Sequence, residues 1–156
     1  MNEKIAKKVG EAYAFSRVLK ELKEKTPKVL DELLGDYSDS VSFASEGQIS
    51  NLEKLSEEFS MKEIVVIKAE KTSKKITEMG DFYVGDDWDD SAEVLEWMSF
   101  FLGAAIVHWQ LILGAAKKMN HNEFTSVARN GVEYYSILLD KAKIKAEDIG
   151  AERASL

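Results

Sequence analysis

Two places in this 156-residue chain combine residue types that can do chemistry. The first is His108-Trp109-Gln110, the polar interruption at the centre of the uncharged run Met98–Ala116. An imidazole and a carboxamide in such a run each need hydrogen-bond partners, because an unpaired buried polar group costs about 1–3 kcal/mol. Two arrangements meet that need. In one, His108 and Gln110 are structural and reach Tyr134, Tyr135 or Thr72. In the other, a small-ligand pocket opens between helices, lined by His108, Trp109, Gln110 and Tyr134. Spacing ties neither a nucleophile nor a carboxylate to His108, so no general base is assigned.

The second place is the acidic stretch Gly85-Asp86-Asp87-Trp88-Asp89-Asp90. Asp86, Asp87 and Asp90 have Asp-Asp-x-x-Asp spacing, the pattern with which all-α prenyl-chain enzymes hold magnesium diphosphate. Hard carboxylate oxygens suit Mg2+ or Ca2+. Such enzymes carry a second acidic motif and a chain about twice as long, and here the aspartates precede a helix instead of lying within one. An EF-hand also fails, because its acidic spacing, central glycine and terminal glutamate do not align. The expected role is a helix cap that complements the helix dipole, with weak Mg2+ or Ca2+ binding at Asp86, Asp87 and Asp90 as the sharper reading. No cofactor is expected.

Other chemistries are excluded by count or pattern. A carboxylate-bridged di-iron site needs two Glu-x-x-His pairs, but Ala105 and Lys118 stand three residues before His108 and His121, the two histidines. There is no cysteine, hence no thiolate site, disulfide or cysteine nucleophile. Lys68, Lys71, Lys74 and Lys75 are interspersed with Glu63, Glu70 and Glu78 and read as a solvated face. No phosphate loop, nucleophile elbow or metalloprotease motif occurs. An enzyme is therefore not the leading expectation.

The elements that must position these residues are helices. The length suits one domain, 1–156, and the single proline, Pro27, favours long uninterrupted helices. Stripes at helical spacing recur in 3–25 (Ile5, Val9, Ala12, Leu19, Leu22), 39–59 (Val41, Ala44, Leu52, Leu55, Phe59, with Gln48 on the same face), 61–79 (Val65, Ala69, Thr72, Ile76, Met79) and 121–145 (Phe124, Val127, Gly131, Tyr134, Leu138, Ala142). Thr26-Pro27 opens a short helix, 27–34, that stops at Gly35. Ser60-x-x-Glu63 and Asp90-x-x-Glu93 have capping-box form, Gly80 is the expected stop of the fourth helix, and the tail 146–156 is expected to fray. There is no internal repeat, low-complexity segment or linker.

The segment 91–119 stands apart, because its apolar residues point in every direction and an all-apolar helix must be covered all round. Its neighbours can cover it, a second copy of the chain can cover part of it, or a membrane can. His108 and Gln110 at its centre and the ordinary amphipathicity of the other helices argue against the membrane. Gly103, Ala104, Ala105, Gly114, Ala115 and Ala116 allow close approach of another helix. The net charge of -7 is distributed in alternating basic (1–28, 61–80) and acidic (29–60, 81–96) segments. That pattern suits helices packed side by side and argues against nucleic acid.

The resulting expectation is an all-α, up-and-down bundle of four long helices plus one short, with the apolar helix 91–119 central. The expected protein is soluble and cytoplasmic, with an interaction or structural role as a homodimer. The alternative is a small-ligand or divalent-metal-binding bundle that uses His108 or the aspartate loop.

Overall fold

Helix starts and stops follow from a few local features. The computed structural model describes residues 1–155 and contains six helices: α1 (Glu3–Lys25), α2 (Pro27–Leu34), α3 (Tyr37–Glu58), α4 (Lys62–Val84), α5 (Ser91–Lys118) and α6 (Asn122–Ala154). Five are long and one is short; they match the six segments read as helical in the sequence, so the expected count of four long helices plus one short was one too few. The chain is an all-helical bundle, with no strand among the described residues.

Asn2 caps α1 by accepting from the Ile5 N–H at 3.0 Å. Asp90 caps α5, accepting from the Ala92 and Glu93 N–H groups at 2.8 and 3.3 Å. The box expected at Ser60 does not form: Ser60 has φ +55° and makes no cap bond to α4. It ends α3 instead. The Met61 N–H donates to Ser56 O at 2.8 Å and the Ser60 N–H to Glu57 O at 2.9 Å, a left-handed C-terminal closure. Asn120, φ +54°, closes α5 in the same way.

Gly80 does not stop α4. A Cβ there would stand 3.0 Å from the Trp97 indole, so the glycine is needed for a side chain of α5 to approach. The helix runs on to Gly85, which takes φ +61°. The expected fraying after residue 145 is also corrected: α6 continues to Ala154. Ile149 is buried, and Arg153 holds Asp90 with contacts of 2.6 and 2.9 Å.

The innermost helix is α1, which packs on α3, α4 and α5. From Val9 to Leu22 its buried residues face nearly every direction. Small side chains let the neighbours approach: a Cβ on Gly10 would meet the Val65 carbonyl oxygen at 2.7 Å. α5 packs most extensively on α6, and a Cβ on Gly131 of α6 would meet the buried Trp109 ring at 2.2 Å. Two ion pairs between helices join a basic segment to an acidic one, Lys20–Glu46 and Lys25–Asp81.

Candidate functional site

The three consecutive polar-run residues do not converge, since successive helical positions point about 100° apart. His108 faces α1, Trp109 is buried against α6, and Gln110 is exposed. Tyr134 faces α3, its hydroxyl 3.0 Å from that of Ser40. His108 finds partners that its spacing did not suggest. Its Nδ1 lies 2.8 Å from the Ala104 carbonyl oxygen and its Nε2 3.2 Å from Glu11 Oε2. Both ring nitrogens thus face oxygen atoms of the protein. Phe15 packs on the imidazole, ring centres 4.9 Å apart.

Glu11 is the centre of a charge cluster that ties α1 to α4 and α5. Only 9% of its surface is exposed, yet Lys8 Nζ lies at 2.8 Å and Lys68 Nζ at 3.1 Å. Burial pushes its carboxyl up, but hydrogen bonds from Lys8 and Lys68 and the charges of Lys8 and His108 outweigh this and hold it below the ordinary value. Every carboxylate oxygen has a cationic partner, which is what a buried charge needs. A signal for this residue was present in the sequence: Glu11, Phe15, Val18 and Leu22 follow helical spacing, so a glutamate occupies a position of an otherwise apolar stripe.

Trp109 and Tyr135 pack in the core with ring centres 6.4 Å apart. No well-formed hydrogen bond reaches the indole N–H or the phenol oxygen among the described residues; burial pushes the Tyr135 phenol above its ordinary value, and Ser16 and Trp109 beside it pull the other way. Gln48, on the inner face of α3, accepts from the Ser16 hydroxyl at 2.7 Å.

The acidic stretch separates into different roles. Asp90 is the α5 cap and the partner of Arg153. Asp86 and Asp89 line an open cleft of about 530 Å3 with Lys25, Lys28 and Trp88, and Asp87 is exposed. Lys25 sits over the Trp88 ring at 3.9 Å. Asp86, Asp87 and Asp90 do not form a ligand set: no group of three or more side chains suited to a metal ion comes together among the described residues.

The remaining feature is one side of α5. Phe101 and His108 turn toward α1, Trp97 toward α4 and Trp109 toward α6, and a third side of α5 is left open. On it lie Phe100, Val107 and Leu111, with 59%, 57% and 49% of their surfaces exposed. Gly103 lies between Phe100 and Val107 and Gly114 about one turn beyond Leu111, each with empty space where a Cβ would stand. Glu96 and Lys118 bound the stripe, and no charged residue interrupts it. Tyr83 of α4 extends it, with its ring 5.4 Å from Phe100 and its hydroxyl donating to Glu96 at 3.0 Å. α5 is long and apolar enough to cross a membrane by composition, and 39% of its most apolar stretch is buried within the bundle. Comparisons with known protein families, curated proteins and solved structures found no match.

Proposed function

We propose that the protein has an interaction or structural role and works as an assembly of identical copies, with the open face of α5 as the contact. The observation that carries this reading is the uncharged stripe of Phe100, Val107 and Leu111, all about half or more exposed on a helix whose other sides are core. Contiguous apolar patches of this kind mark contact sites on soluble proteins. Covering the three side chains on each of two copies is worth roughly 1 kcal/mol apiece. That sum only offsets the low end of the cost of association, about 4–15 kcal/mol. Tyr83, packed on Phe100, and Met79, one turn earlier on α4, therefore belong to the same contact; both are exposed.

Sedimentation velocity at micromolar concentration tests the reading. A dimer is expected for the unmodified chain. Val107→Glu should give a monomer of unchanged helicity, with the dissociation constant raised at least about 100-fold by a buried carboxylate on each copy. A strictly monomeric unmodified chain overturns the proposal.

A second reading, binding of a small molecule between the helices, has one observation behind it: the unpartnered Trp109 indole N–H and Tyr135 hydroxyl deep in the bundle. A ligand that used them would change Trp109 fluorescence, and the change would vanish in Tyr135→Phe. A fluorescence response that survives Tyr135→Phe rules this reading out.

A further inference from the structure

We propose that two copies of the chain pair antiparallel along α5, with the twofold axis passing at Val107. The proposal rests on the reading of the α5 face as a self-contact and adds its partner geometry. In a twofold antiparallel pair, a residue on one copy faces the residue equally far beyond the axis on the other, and the reverse contact repeats it. With the centre at 107, Glu96 faces Lys118 of the second copy, Phe100 faces Gly114, Gly103 faces Leu111, and Val107 faces itself. Phe100 and Leu111 each meet a glycine, and each terminal charge meets its opposite.

All these positions lie on the one open side of α5, over ~33 Å at 1.5 Å per residue. The empty space at Gly103 and Gly114 is where Leu111 and Phe100 of the other copy would seat, as knobs into holes. Lys118 belongs to none of the ion pairs formed among the described residues. A parallel pair would set Glu96 against Glu96, Lys118 against Lys118 and Phe100 against Phe100, and would leave glycine facing glycine across unfilled gaps. A partner of different sequence would not require the stripe to be complementary to its own reverse in both size and charge. That palindrome identifies the occupant as a second copy of this chain.

Cysteine cross-linking under mild oxidation tests the register, and the chain has no cysteine of its own to confuse it. Val107→Cys should link to itself. Gly103→Cys and Leu111→Cys should each stay unlinked alone, their twofold mates being offset by ~12 Å along the axis, at 1.5 Å per residue and beyond disulfide reach. The two should link when mixed. Glu96→Lys should weaken the dimer about tenfold, and adding Lys118→Glu should restore it. If the unmodified chain sediments as a dimer but Gly103→Cys links to itself, or the charge reversal is not rescued, the antiparallel register falls and the self-contact stands. If the unmodified chain sediments as a monomer, both fall.

Discussion

At Glu11 a single carboxylate joins three helices, and its protonation is linked to folding. Its folded value lies below the ordinary 4.5. The stabilisation is therefore complete above that ordinary value and is lost as pH falls through the lower folded one. Glu11→Gln should lose about 1–3 kcal/mol at pH 7, since Lys8 and Lys68 are partly solvated and soften the penalty. It should also remove part of the acid limb from a plot of urea stability against pH. An unchanged acid limb would show that Glu11 is not the linked group. Two glycines give an opposed pair of expectations. Gly131→Ala drives a methyl into the Trp109 ring and should cost about 1–3 kcal/mol or more. Gly47→Ala meets nothing within 4 Å on exposed α3 and should gain about 0.5–1 kcal/mol. Equal effects in thermal unfolding would contradict the packing described. At this scale the sequence marked His108 as a polar group needing partners, and the structure leaves it half-buried. The sequence also places Glu11 in an apolar stripe, but it did not pair the two, because that contact depends on how α1 and α5 pack.

At the scale of elements, the start of α5 and the end of α6 are one structural unit. Asp90 accepts two backbone N–H groups of α5 and also binds Arg153, near the end of α6. Asp90→Ala should cost about 1–2 kcal/mol as a lost cap. Arg153→Ala should cost no more than about 1 kcal/mol, as an exposed pair does, yet raise amide exchange in residues 146–154. If exchange there is unaffected, Arg153 does not anchor the last turns. The cap at Asp90 and the stop at Gly35 were legible locally, because capping and left-handed closure depend on a few neighbouring residues. The roles of Ser60 and Gly80 were not. Each has two local uses, and the neighbouring segment decides between them: Ser60 closes α3, and Gly80 makes room for Trp97.

For the whole molecule, the assembly proposed for α5 links stability to concentration. A dimer is stabilised by mass action, so its thermal midpoint should rise by a few degrees over a hundredfold increase in protein concentration. The midpoint of Val107→Glu should not move. A concentration-independent midpoint for the unmodified chain, measured across its association range, would argue against assembly through this face. The sequence alone determined the all-helical class, the identity of nearly every helix and the unusual apolar character of α5. These follow from periodicity, caps and composition, which act within one or two turns. Tertiary structure decided that α1 is the innermost helix, that Glu11 is the partner of His108, and that α5 keeps one side open. A helix apolar all round carries no record of which neighbour covers which side. That is set by where small residues such as Gly10, Gly80 and Gly131 let other helices come close.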